Sequence, residues 1–334
     1  MISHSMKRAF RSVASNVQRR EFVLFLLIAL TCLVVGCFDS NFLTGHVWRE
    51  ILVRCAPTAI VACGMMLVIV TGEIDISVGS LMALLAAMFG RIVSQNEANA
   101  SCWIGIPVTL GVGTFIGLTT GGLVAWGRVP SIIVTLGLLT ALRGITTLVM
   151  GGENIDALPE KLTALAKQGL LGVPLSVWTA AAVIGLTAIL IRQTSLGRRL
   201  YALGSSPESA RMAGLHERRL KLFVFAYTGF LTALATIVDV PRLPKIEAGI
   251  GSDFELLVVT CVVVGGVSIA GGRGTLSGVL LAVILLTMIR PVLTFLDIGE
   301  AGEKWTKAIQ GLFILLAVVF DTAVVRTSIR ERAA

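Results

Sequence analysis

Ten apolar runs, most of them close to twenty residues long, decide what solvent this chain can fold in. They are Phe22–Phe38, Ile51–Thr71, Ile76–Ile92, Trp103–Ala125, Ser131–Met150, Val173–Ile191, Leu220–Val238, Glu255–Ala270, Thr275–Leu296 and Trp305–Val325. The hydrocarbon layer of a bilayer is about 30 Å thick and a helix rises about 1.5 Å per residue, so about 20 apolar residues cross it. The first and eighth runs are the shortest fits. Hydrocarbon offers no water to a peptide group, so a crossing segment must be a helix or part of a closed barrel. Runs this long and unbroken do not match the short alternating strands of a barrel. The expected fold is an all-α membrane protein, a polytopic bundle of about ten transmembrane helices. Composition agrees: 55% of residues are hydrophobic and 14% charged, against about 25% charged in soluble domains. Mean hydropathy is +0.88.

Lysine and arginine orient the bundle. With the N-terminus in the cytoplasm, seventeen of them fall on the inside and seven outside, the rest lying within the runs. Cytoplasmic loops carry that excess, so both termini are expected in the cytoplasm, in a multi-pass protein of a bacterial inner membrane. The divisions are a basic N-terminal segment, 1–21, one transmembrane domain, 22–325, with a long cytoplasmic loop at 192–219, and a cytoplasmic tail, 326–334. The same pattern accounts for the net charge of +8. The basic residues cluster at the ends of apolar runs, which excludes a nucleic-acid surface and leaves lipid as the surrounding partner. A second long loop, 151–172, is expected outside.

The residues offer little to a catalyst. His4, His46 and His216 are far apart and outside the runs, and no Ser-His or Cys-His arrangement emerges. The cysteines Cys32, Cys37, Cys55, Cys63, Cys102 and Cys261 show no metal-ligand spacing and mostly sit in apolar runs, so no metal site is expected. Cys37 ends a run after a basic N-terminus, but without an A-x-A cleavage site the segment reads as a retained first helix. The fourth run carries Gly113, Gly117 and Gly121 at four-residue spacing, which lines one helix face either for close packing or for a pore-lining or hinge role. The turn Gly265-Gly266 to Gly271-Gly272-Arg273-Gly274 lacks the G-x-x-x-x-G-K-[ST] of a phosphate loop, as does the whole chain. ATP and magnesium, if used, belong to another chain, and this one is expected to bind no cofactor and to be no enzyme.

Two segments are candidates for function. In the long inner loop, Ser206 suits a helix N-cap, Pro207 the first helical position, Glu208 the positive end of the dipole and Gly214 the residue past the end. Ala210, Met212 and Ala213 add small and apolar groups beside Arg211. This short helix either lies solvated on the surface or seats in a groove of a partner, carrying motion into the membrane. In Thr71-Gly72-Glu73-Ile74-Asp75-Ile76-Ser77, buried carboxylates are costly in a membrane. Asp75 either N-caps the third run with Ser77 supporting it, or Glu73 and Asp75 line the inner mouth of a pathway or pair with an arginine, for which Arg143 in the fifth run is the best candidate. A secondary transporter would want more ionisable groups within its runs.

These motifs then carry a resemblance. Gly72-Glu73-Ile74-Asp75-Ile76-Ser77-Val78-Gly79-Ser80 resembles the G-x-I-D-[LIV]-S-V-G-S segment of bacterial ribose-type ABC importer permeases. Phe254-Glu255-Leu256 with the glycines 265–274 resembles a second signature of that family, Pro130-Ser131 with Thr135-Leu136-Gly137 and Arg143-Gly144 resembles its segment opening the fifth span, and the inner loop Gly197 to Gly214 is similar to the segment that docks onto the ATPase. Glu73 stands where that family often has Gly, and Leu257 where Asp is common. Gly151-Gly152-Glu153-Asn154-Ile155 is similar to the rhamnose and autoinducer-2 types. The resemblance implies import of a small sugar by alternating access. Its partners would be cytoplasmic ABC ATPase subunits, a periplasmic sugar-binding protein and a second permease subunit. Ser206, Pro207, Glu208, Ala210, Arg211 and Gly214 would form the ATPase-coupling segment. Glu73, Asp75, Ser77 and Arg143 stand as candidates for the substrate pathway.

Overall fold

The computed structural model describes residues 4–94, 100–156, 158–169, 172–247, 249–296, 305–316 and 319. Its helices are α1 (His4–Phe38), α2 (Gly45–Val70), α3 (Val78–Ser94), α4 (Ala100–Ala125), α5 (Ser131–Met150), α6 (Glu160–Gln168), α7 (Leu175–Gln193), α8 (Ser195–Ser205), α9 (Pro207–Met212), α10 (Glu217–Asp239), α11 (Phe254–Val264) and α12 (Leu276–Phe295). A further apolar helix, α13, covers Trp305–Leu316. Seven of these are long and apolar enough to cross a membrane, and three shorter apolar helices, α3, α11 and α13, fall on the remaining runs. The end of the tenth run and the tail 326–334 lie outside the described residues.

The largest departure from the sequence reading is the eighth run. Glu255–Ala270 is apolar throughout, yet its helix stops at Val264 after 11 residues, about 16 Å and half of a bilayer core. The run continues as turns, with Gly266 and Gly271 at positive φ. Polarity alone cannot reveal such a break, because the turn residues Val267 and Ile269 are as apolar as the helix. At the other end of the chain, α1 starts at His4, so the basic segment 4–21 continues the first apolar helix. The loop 151–172 also holds structure of its own. Strand β1 (Ile155–Asp156) pairs antiparallel with β2 (Lys245–Ile246), in the register Ile155 to Ile246, and α6 follows.

α2 is the axis of the bundle. Its membrane-length window is 94% buried, against 11% for α1, 17% for α5 and 22% for α7, so these three form the outer ring and offer apolar surface to lipid. Pro57 lies inside α2 and has no N–H to give the carbonyl four residues back. That carbonyl, Val53 O, accepts instead from Arg242 Nη1 at 3.3 Å. Buried threonines follow the same logic: Thr228, Thr232 and Thr236 on α10 each donate to the carbonyl one turn back at 2.8 Å. At the start of α12, Glu21 of α1 accepts from Thr275 Oγ1 at 2.7 Å and Ser277 Oγ at 2.6 Å. This places a carboxylate where the helix dipole favours it.

α4 packs on α10 almost backbone to backbone. A Cβ at Gly113 would lie 2.7 Å from Ala233 Cβ and Gly229 O, and one at Gly121 would lie 3.0 Å from Leu222 Cα. Gly117 sits closer still, against Phe225 O. The four-residue spacing therefore serves helix packing, as glycine stripes do in membranes. Gly111, on the same helix, faces open space. Gly117→Leu is expected to lower stability by about 1–3 kcal/mol, while Gly111→Leu stays within about 0.5 kcal/mol. Thermal unfolding of both variants in one detergent measures the difference, and equal midpoints would refute the packing role.

Candidate functional site

The inner loop folds as two helices rather than the single short one legible in the sequence. α8 begins at Thr194, whose side chain accepts from Gly197 N at 3.2 Å. That Thr is the signal that reveals it in retrospect. α9 follows the expected chemistry: Ser206 Oγ accepts from Ser209 N at 3.2 Å, and Pro207 opens the helix. Its end is a Schellman motif. Gly214, at φ +75°, donates to Arg211 O at 3.0 Å, and Leu215 N donates to Ala210 O at 3.0 Å. The two faces of α9 differ. Ala210 is buried against its own chain, whereas Glu208 is exposed and Met212 is 86% exposed. The outward face of α9 therefore carries Glu208 and Met212, with Ala210 turned inward.

α8 stands on a junction of two glycine-containing turns. Gly272 N donates to Val70 O at 2.8 Å, which joins the turn after α11 to the end of α2. Gly204 sits over that bond: a Cβ there would lie 2.6 Å from Gly272 N and nearer still to Val70 O. Gly271 in turn faces Gly72 N and Gly204 O. Tyr201 Oη donates to Gly274 O at 2.9 Å, and Ser205 Oγ to Gly272 O at 3.4 Å. The loop is thus fixed by backbone contact to both irregular segments that lead into α3 and α12.

The first of those segments holds the carboxylates. The helix starts at Val78, so Ser77 rather than Asp75 takes the position before it. Asp75 Oδ1 accepts from Ser77 N at 2.9 Å and Ser77 Oγ at 2.6 Å. Burial pushes the Asp75 carboxyl up, and these two bonds pull against it. Ile74 is held by Ser131 Oγ at 3.1 Å. That contact rules out the expected pairing of Glu73 with Arg143, because Arg143 stands twelve residues, about 18 Å, further along α5. Arg143 Nη1 instead donates to Ile250 O at 2.8 Å, before α11. The partner of Glu73 is Lys221 of α10, at 2.6 Å. Lys221 also reaches Glu217 at 2.8 Å, and Glu217 lies 3.6 Å from Arg211 of α9. The sequence put Lys221 at the edge of an apolar run, with nothing to show that it faced Glu73.

The two motifs that resemble family signatures meet in space. Gly79, in the first, leaves room that the carboxylate of Glu255, in the second, fills. Glu255 Oε2 is buried with no hydrogen-bond partner.

Two cavities mark the ends of the bundle. One, of about 870 Å³, lies between the α2–α3 turn, the α4–α5 turn and the start of α10. Its walls carry Arg128, Arg211, Arg218, Arg219 and Lys221 against Glu73 and Glu217. The other, of about 710 Å³, lies at the opposite ends of α2 and α10, where Arg54, Asp239, Arg242, Leu257 and Arg290 meet. Between them, α2 from Ile60 to Val70 is fully buried. Among the described residues no three His, Cys, Asp or Glu side chains converge to hold a metal.

The comparisons place this bundle of apolar helices in a family. Residues 48–318 match the family model described as branched-chain amino acid transport system, permease component, and the chain belongs to that family. It is 35% identical over 321 residues to the ribose import permease of Escherichia coli K12, covering 95% of this chain and 97% of that one. To the ribose import permease of Haemophilus influenzae it is 34% identical over 310 residues, 91% of this chain and 93% of the relative. To the autoinducer 2 import system permease of Yersinia enterocolitica it is 33% identical over 303 residues, 90% and 82% of the two chains. No solved structure matches.

Gly204→Val pushes a side chain into the junction and is expected to destabilise it by about 1–3 kcal/mol. Gly214→Val forces a branched residue into the left-handed region at about 1–2 kcal/mol. Limited proteolysis of the loop in membranes checks both. Cleavage between residues 194 and 216 should rise in each variant, and an unchanged pattern would contradict the anchoring described above.

Proposed function

We propose that this chain is the membrane-spanning permease subunit of an ATP-driven ABC importer that moves a small sugar or sugar derivative into the cytoplasm by alternating access. The observation that carries the reading is the 35% identity to a ribose import permease across nearly the whole of both chains. All ten apolar runs cross a bacterial inner membrane in this reading, with α3, α11 and α13 completed by neighbouring elements and both termini cytoplasmic. ATP and magnesium bind to separate ATPase subunits. A periplasmic sugar-binding protein delivers the sugar to the outer cavity, and a second permease subunit completes the pathway.

The ATPase seats α9 in a groove, with Ser206, Pro207, Glu208, Ala210, Arg211 and Gly214 as the coupling segment. Glu73, at the inner mouth, faces the leaving sugar. Asp75 and Ser77 hold the turn that carries it, and Arg143 ties α5 to the loop before α11.

The test is purification of the tagged chain from its native membrane in mild detergent, together with uptake of radiolabelled ribose and of a panel of other monosaccharides by cells carrying or lacking the gene. An ATP-binding subunit is expected to co-purify and to be lost with Glu208→Arg, while the amount of permease in the membrane stays the same. Uptake of one sugar should depend on the gene. A chain that purifies only with itself from a complex-preserving detergent, or capture indifferent to Glu208→Arg, would defeat the assignment.

A further inference from the structure

We infer that Arg211, Glu217, Lys221 and Glu73 form a charge link that transmits displacement of α9 across the basic-end cleft to the turn opening α3. This rests on α9 being the ATPase dock.

The geometry separates two kinds of attachment. α8 is locked by backbone contacts at Gly204, so the first half of the loop moves only with the ends of α2 and α11. α9 is tied differently. A short turn joins it to α10, and Arg211 spans that turn to Glu217 at 3.6 Å. Glu217 and Lys221 are one helical turn apart on a common face of α10. Lys221 then reaches off α10, at 2.6 Å from Glu73. Glu73 precedes Ile74 and Asp75, which are held by Ser131 of α5 and by Ser77 at the start of α3. A pull on Glu73 is therefore a pull on the first turns of α3 and α5.

The weight of the link lies on Lys221. Its side chain is 18% exposed and that of Glu73 13%, whereas Arg211 is 64% exposed. Pairs shielded from water are screened little, and exposed ones contribute little. One ammonium shared by two carboxylates has two arrangements, held by both or by Glu217 alone. The adjoining cleft of about 870 Å³ gives a released Glu73 room to leave. An apolar contact in the same place would have no such second arrangement.

The experiment uses the whole complex, purified with the subunits that accompany the permease. Ser252→Cys places a thiol at the exposed lining of the opposite cavity. Its alkylation by a water-soluble maleimide is read by mass spectrometry of its own peptide, nucleotide-free and with ATP and vanadate. The unaltered link is expected to give different rates in the two states. Glu73→Gln and Lys221→Met should each reduce that difference several-fold, Lys221→Arg should keep it, and Glu73→Gln with Lys221→Met should be no worse than the worse single change. ATPase should co-purify with every variant. A full nucleotide-dependent difference in Glu73→Gln or Lys221→Met overturns the link, as does additive loss in the double variant. Loss of the ATPase from these variants also overturns it, by assigning the residues to docking. Absence of any nucleotide response in the unaltered complex, with ATPase bound, overturns the link while leaving the docking assignment in place. Absence of a co-purifying ATPase removes both.

Discussion

Everything in this structure follows from the need to satisfy peptide groups where no water reaches them. Helices meet that need internally, and the long apolar ones could be laid out in any order around a core. The segments that are not helical are the ones that fix the arrangement. Residues 71–77 and 265–275 are irregular yet lie among buried helices, so their N–H and C=O groups must be answered by particular neighbours. Gly272 N on Val70 O and Ser268 N on Arg273 O, at 2.8 and 3.0 Å, are two of those answers. Each requires the two backbones to approach without intervening side chains, which is why glycine gathers there.

The two irregular segments are built alike. Each follows a helix through a glycine at positive φ, Gly72 in one case and Gly266 in the other. Each ends at a hydroxyl residue next to a new helix, Ser77 before α3 and Thr275 before α12. Irregular buried backbone is tolerated where protein surrounds it, and α8 supplies cover for both segments through Gly204 and Tyr201. The loop 194–216 is thereby put in direct contact with the end of α2 and with the turn after α11.

What could be read from the sequence is what depends on period and length. Nearly every apolar run found its helix, and the glycines of α4 found a partner backbone. Local chemistry was legible too: Ser206, Pro207 and Gly214 marked both ends of α9 because capping involves only near neighbours. What stayed hidden depends on contacts far along the chain. The break after Val264 is invisible to hydropathy, since an apolar turn and an apolar helix have the same composition. Lys221 lies 148 positions from Glu73, and only the packing of α10 against α2 brings them together. Arg143 was the natural guess because it was the cation most clearly inside a run. The fold uses it instead for Ile250 O, at the other end of α5.

The charged residues therefore divide by partner into two roles. Arg143 and Arg242 donate to backbone carbonyls at Ile250 and Val53, and those bonds answer a local deficit that any rearrangement would reopen. Such contacts resist motion. Lys221 and its carboxylates meet side chain to side chain beside the cleft of about 870 Å³, so one partner can be exchanged for another without opening a backbone hydrogen bond. A transport cycle needs both kinds of contact: rigid segments that move as units, and joints between them with two states of similar free energy. The arginines at Ile250 and Val53 bind helices into such units. The border between α9, α10 and the α2–α3 turn is where charged partners can be exchanged with the backbone hydrogen bonds left in place.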